Sequence, residues 1–250
     1  ITTICFFEII TFANILILGI IKIMFKENFA CIKNNKRLQE DLIKISIESA
    51  TENLAMAKAN NGDTIFIKNN YPLDDTENPT QYAKSLVNDK LKSLSFTDKI
   101  FVIGFGVGYI LDELYNNTKA KIIIWEPDIL YLRFVFESID LTPYFKDNRV
   151  FISNKSDECE NFILKDYLNN DKLEFVTPKA TSILYSKEFI PFSEKLYSDL
   201  QQKIINTNTI EKMSKKWTKN IISLAKSDKN FYDISVLENK YKDKTALILG

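Results

Sequence analysis

Gly104, Gly106 and Gly108 stand at every second position in a chain that has only six glycines. They follow the apolar run Ile100-Phe101-Val102-Ile103. A glycine-rich turn after a buried strand lets backbone N–H groups and a helix N-terminus come close to an anionic ligand. Further on, Glu126 closes a second apolar run, Lys121 to Trp125. An acid in that place commonly accepts hydrogen bonds from ribose hydroxyls. Gly104, Gly106, Gly108 and Glu126 therefore read as a nucleotide-shaped half-site. They also fit an architectural role, in which the glycines permit a tight turn and Glu126 caps the next helix ahead of Asp128.

The half-site names no cofactor. A dinucleotide fingerprint needs a small residue where this chain has Tyr109 or Leu111, and the methyltransferase form of the turn carries an acid where it has Val102. No Walker sequence is present. The other groups of possible chemical use read as structural. Asp112 with Glu113, and Asp74 with Asp75, are acid pairs of the kind found on solvated helices and loops. Asp157, Glu158 and Glu160 suit the first turn of a helix. Cys31 and Cys159 flank no base and read as inert thiols. Trp217 reads as core.

Composition narrows the chemistry further. The chain has no histidine, so no Ser-His-Asp or Cys-His triad and no imidazole base lies within it. Its three cysteines cannot build a disulfide framework or a four-thiolate metal cage, so no metal site is expected. Thirty-three basic residues balance thirty-three acidic ones, which argues against a nucleic-acid partner. Few cysteines and ordinary apolar content suit a reducing, cytoplasmic setting.

Positioning the half-site requires a sheet. Ile100–Ile103, Lys121–Trp125, Val150–Ile152 and Leu173–Val176 are short apolar runs separated by helical patterns. This alternation predicts an α/β, Rossmann-like, doubly wound parallel sheet with flanking N-terminal and C-terminal helices. Ahead of it, apolar spacing predicts a helix from Phe25 to Asn60, a strand at Thr64–Lys68 and a helix from about Thr80 to Leu94. Behind it, Ser186 to Lys226 reads as two helices separated near Asn206-Thr207-Asn208-Thr209, followed by a linker to Asp243.

The two ends differ from this pattern. Residues 1–23 are largely apolar, and their only charges are Glu8 and Lys22. They read as lying upstream of a start at Met24, or alternatively as a membrane anchor; the charge and cleavage pattern of a signal peptide is missing. Lys244 to Gly250 reads as the first strand of a second α/β domain. The expected organisation is thus 1–23 apolar segment, 24–95 helical and β region, 96–180 Rossmann-like core, 181–243 helices and linker, and 244–250 the opening of a further domain.

The runs Phe101-Val-Ile-Gly-Phe-Gly-Val-Gly-Tyr-Ile-Leu-Asp-Glu-Leu114 and Ile122-Ile-Ile-Trp-Glu-Pro-Asp128 resemble the N-terminal domain of the motility-associated factor (Maf) flagellin glycosyltransferases. So do Pro143 to Arg149 and the helix carrying Thr209, Trp217 and Asn220. Asp243 to Gly250 resembles the opening of that family's central domain, which is related to archaeal pterin pyrophosphokinase-like (MptE-like, DUF115) proteins. The resemblance spans about Met24 to Gly250. It implies a cytoplasmic transferase that moves pseudaminic or legionaminic acid from its CMP-activated form to Ser or Thr of flagellin. The family's donor site lies mainly in the central domain, so the resemblance assigns no catalytic residue here. The family's His-Ser-Xaa-Tyr-like stretch is replaced by Asn69 to Asp74, without the histidine. Two alternatives accompany this reading: a non-catalytic Rossmann-like module that docks flagellin or the transferase core, and an S-adenosylmethionine-dependent methyltransferase.

Overall fold

The computed structural model describes residues 20–32, 35–91, 94–95, 97–226 and positions 235, 239 and 242. Residues 1–19, most of the linker to Asp243 and the closing run 244–250 lie outside the described residues. Two compact units divide the chain between Ile204 and Ile205.

The first unit is α/β. Its main sheet holds β4 (Lys99–Ile103), β5 (Lys121–Trp125), β6 (Val150–Ser153) and β7 (Leu173–Val176), all parallel, in the order β6-β5-β4-β7. The chain starts mid-sheet at β4 and steps outward to β5 and β6. It then crosses back to lay β7 on the other side of β4. This is the start of a Rossmann-like order, and it places a topological switch point between β4 and β7. Every residue of β4 is buried, as expected for a central parallel strand covered on both faces.

Alternation along the strands sorts the core into two layers. Ile100, Val102, Ile122 and Ile124 join one cluster with residues of α5 (Tyr109–Asn117) and α6 (Ile129–Ser138). Phe101, Ile103, Ile123 and Trp125 join another with α8 (Ser156–Lys165) and the start of α10 (Ser186–Ala225). There the Phe192 ring lies tilted, 5.1 Å from Phe101 and 4.9 Å from Trp125 between centroids. The remaining short helices are α7 (Thr142–Phe145) and α9 (Lys179–Leu184).

The predicted helix from Phe25 to Asn60 is instead four elements. They are α1 (Ile20–Cys31), α2 (Lys36–Lys44), α3 (Ile47–Thr51) and a strand, β1 (Leu54–Lys58). Asn35 starts α2 by accepting the Leu38 N–H, and Ile45 ends it in extended conformation. The run Leu-Ala-Met-Ala-Lys is made of good helix formers. Its strand conformation comes from five antiparallel partners in β2 (Thr64–Lys68), so tertiary pairing overrides local preference. β3 (Tyr71–Pro72) completes this small sheet, and α4 (Pro79–Leu91) follows. Residues 24–95 do not form a separate layer. Leu38, Leu42, Phe66 and Leu73 share one core with β4 and β5, and the Phe66 ring meets Phe134 edge-on at 4.8 Å.

The predicted interruption near Asn206–Thr209 is absent, since α10 continues from Ser186 to Ala225. Thr209 returns its hydroxyl to the Ile205 carbonyl, which satisfies it within the helix. Trp217 is not core: within the second unit it is exposed, as are Ile210, Ile221 and Leu224. Helical spacing identified one apolar stripe but carries no information on what covers it. Among the described residues no helix is long and apolar enough to cross a membrane.

Candidate functional site

The turn after β4 is built around Gly104, Gly106 and Gly108, all at positive φ (78°, 57° and 104°). At Gly104 a Cβ would lie 2.3 Å from Cβ of Thr181, and at Gly106 it would lie 2.4 Å from Oδ1 of Asp74. Both positions therefore require glycine on two counts, left-handed backbone and close packing. Gly108 occupies the N-cap position of α5.

Two carboxylates grip this turn from opposite elements. Glu126, at the end of β5, accepts the Phe105 N–H at 3.0 Å through Oε2. Its Oε1 accepts the Asp128 N–H at 3.2 Å and the Tyr185 hydroxyl. Glu126 is fully buried, and burial pushes its carboxyl up to about 7. Asp74, in the loop after β3, accepts the Val107 N–H at 3.1 and 3.2 Å. Burial pushes this carboxyl up to about 7 as well. The strongest influences on both carboxylates are burial and hydrogen-bond donors rather than cations.

Neighbouring groups lock the arrangement. The buried Tyr131 hydroxyl donates to the Gly106 carbonyl at 2.7 Å. Thr181, at the start of α9, donates to the Ile103 carbonyl at 2.6 Å and so ties the segment after β7 to the end of β4. Asp128 caps α6 by accepting the Leu130 and Tyr131 N–H groups, and it pairs with Lys68.

A cavity of about 270 Å³ opens at the switch point. Its wall includes Tyr71, Asp74, Tyr82, Phe105, Tyr109 and Thr181. Ligands of open α/β sheets bind at such a crevice, outside the carboxyl ends of the strands. No protein-family model matches this chain, and no curated protein matches it.

Of the sequence-predicted site residues, Gly106 lines the cavity. Gly104 and Gly108 shape the turn, and Glu126 sits sealed beside it with both oxygens hydrogen-bonded. A ribose hydroxyl would have to displace Tyr185 to reach Glu126 in this arrangement. A phosphate seeking the Val107 N–H would have to displace Asp74. Asp74 itself, read from sequence as a solvated or loop acid, is instead packed on the glycine turn and lines the cavity. Its neighbour Asp75 does serve the loop, accepting the Glu77 and Asn78 N–H groups. The reading of Asp112 and Glu113 as helix-surface groups agrees with their bonds to Asn116 and Asn117. Asp157 and Glu158 do more than complement the α8 dipole, because Arg37 of α2 pairs with both. Cys159 is buried and its thiol is pushed well above the ordinary range.

Proposed function

We propose that this chain is the N-terminal part of a motility-associated-factor-type glycosyltransferase. Such an enzyme moves a nonulosonic acid, pseudaminic or legionaminic, from its CMP form to Ser or Thr of flagellin in the cytoplasm. One observation carries the reading: two of the runs on which the resemblance rests, Phe101–Leu114 and Ile122–Asp128, meet at a single place. Gly104, Gly106 and Gly108 take left-handed conformations in one turn, Glu126 holds that turn through Phe105, and Asp128 of the same short motif caps α6. A motif whose separate members have interlocking tasks supports common descent of the whole set better than scattered matches do. On this reading the CMP-activated donor binds mainly in the family's central domain, and the present chain handles the acceptor or supports the transferase core.

A second reading is favoured by the filled turn. Asp74 and Thr181 stand where a nucleotide phosphate would approach Gly106 and Gly104. That suits a Rossmann-like module docking flagellin or the transferase core without binding a nucleotide. The adenosylmethionine alternative has least support, because Glu126 is already engaged by three donors.

Disrupting the gene in its host and weighing intact flagellin tests the main reading. Loss of the nonulosonic acid mass increments, restored by the complete gene, is the expected result. Flagellin of unchanged mass overturns it. Restoration by a gene carrying Glu126→Gln would favour the docking role over nucleotide binding at the turn.

A further inference from the structure

The cavity at the switch point holds a charge that the fold does not balance. The Asp74 carboxylate is half-buried at the cavity wall, and the groups that bond it are backbone ones, such as the Val107 N–H. A desolvated carboxylate without a counter-charge is unfavourable and takes up either a proton or a cation. Glu126 is in the same position but fully sealed, so a proton is its only recourse. Asp74 faces a cavity, which leaves room for a ligand to supply the positive charge.

The rest of the wall agrees in chemistry. Tyr71, Tyr82, Phe105 and Tyr109 contribute four aromatic rings, and Asp75 adds a second carboxylate. Aromatic rings grouped beside carboxylates attract alkylammonium groups through their negative faces. Two of these rings are held in place by their hydroxyls: Tyr109 donates to the Thr64 carbonyl at 2.8 Å, and Tyr82 accepts the Lys179 N–H at 3.0 Å. Anions are disfavoured for the same reasons, because the Val107 N–H is already spent on Asp74 and two acids line the wall. The Lys179 side chain carries the opposite sign, but the residue is exposed.

We propose that this cavity binds a ligand presenting an ammonium or quaternary ammonium group, with Asp74 as its counter-charge and the four aromatic rings as its apolar wall. The inference stands apart from the glycosyltransferase reading, since neither the CMP donor nor a flagellin hydroxyl is a cation.

Titration calorimetry of the full chain at pH 8 tests it with choline, with 3,3-dimethyl-1-butanol as the uncharged isostere, and with inorganic phosphate. Choline should bind saturably, the isostere about tenfold more weakly, and phosphate not at all. Asp74→Asn should weaken choline by about tenfold, and Tyr82→Leu, which leaves Asp74 in place, by several-fold. Choline binding should also weaken at pH 6, where Asp74 holds a proton. The charged or titratable groups facing it include Asp75, Lys179, Tyr71, Tyr82, Tyr109, Tyr131 and the sealed Glu126; burial pushes Glu126 up to about 7 as well, and pushes the Tyr109 and Tyr131 hydroxyls upward, away from this range. A peptide bearing trimethyllysine, run in parallel, separates a protein side chain from a small molecule as the source, and saturable binding of either supports the proposal. It is overturned if neither saturates by about 10 mM, if the isostere matches choline, if phosphate binds more tightly, or if a folded Asp74→Asn chain binds choline unchanged.

Discussion

The two ends of the main sheet bury charge in opposite ways. At the amino end, Lys99 of β4 lies against Asp171 at 3.4 Å, both almost wholly buried, with the Tyr167 ring 5.1 Å from the ammonium. Desolvation draws the Lys99 ammonium down, and Asp171 works against that shift. Nearby, Asp98 accepts the Ser95 and Lys172 N–H groups. Each of these charges has a partner, and the result is a stapled end. At the carboxyl end, Asp74 is half-buried and Glu126 fully buried, both held by backbone or hydroxyl donors, while Lys68 pairs with the neighbouring Asp128. The difference teaches where binding is to be sought. A fold that sets an ammonium against its buried carboxylate at one end, and leaves Asp74 and Glu126 to backbone and hydroxyl donors at the other, keeps its capacity for a ligand at the second.

The sharpest break of that contrast is Gly104→Val. The new side chain must adopt left-handed backbone and collide with Thr181, a cost of about 5 kcal/mol. Denaturant unfolding should show the variant largely unfolded, and a near-native midpoint would mean that the β4–α9 junction is loose. Next, Lys99→Met strands Asp171 without its partner at a cost of about 4 kcal/mol, and adding Asp171→Leu should recover most of the loss. Failure of the double variant to recover would show that the amino end does not act as a balanced pair.

The unbalanced end is read by pH. Glu126 moves from the ordinary 4.5 up to about 7 in the folded chain, so the folded state binds more protons than the unfolded state between those values. Stability therefore falls as pH rises from about 4.5 to 7 and then levels off. The part due to Glu126 is roughly 3 kcal/mol. Asp74, raised from 3.8 to about 7, adds a slope of the same sign. Glu126→Gln should narrow the stability difference between pH 5 and pH 8, and a variant with the full wild-type slope would remove Glu126 from the account. The smallest effect is Tyr185→Phe, which deletes one hydroxyl donor to Glu126. It should cost about 1 kcal/mol at pH 8 and less at pH 5, measured by the same unfolding curves.

Much of this architecture is legible along the chain. β2, β5 and β7 match their predicted limits because short apolar runs bounded by turn residues leave no other solution. The turn glycines were legible as well, since left-handed backbone acts within a few residues, whereas the helix cap expected of Glu126 is supplied by Asp128 instead. β1 was not legible, because Leu54 to Lys58 prefers a helix and the pairing that overrides this lies in β2. Asp74 was hidden for a related reason. Its partner Val107 is 33 positions away, and nothing near Asp74 distinguishes it from the loop-capping Asp75. Tyr185 and Thr181 reach Glu126 and Ile103 across 59 and 78 positions, distances at which spacing is silent. The helix through Asn206–Thr209 misled in the other direction: polar residues that favour turns were read as a break, yet side-chain bonds within the helix accommodate them.

The strand order also sets a sequence of events in folding. β4, β5 and β6 can pair in turn as each helix folds back, whereas β7 must close across 74 positions, the separation of Asp98 and Lys172 at the pair's edge. Long closures of this kind cost more chain entropy and slow the step that makes them. The wall supplied by Pro178 to Thr181 follows β7, so docking of that strand completes the cavity, and a ligand that fits it would hold the strand in place.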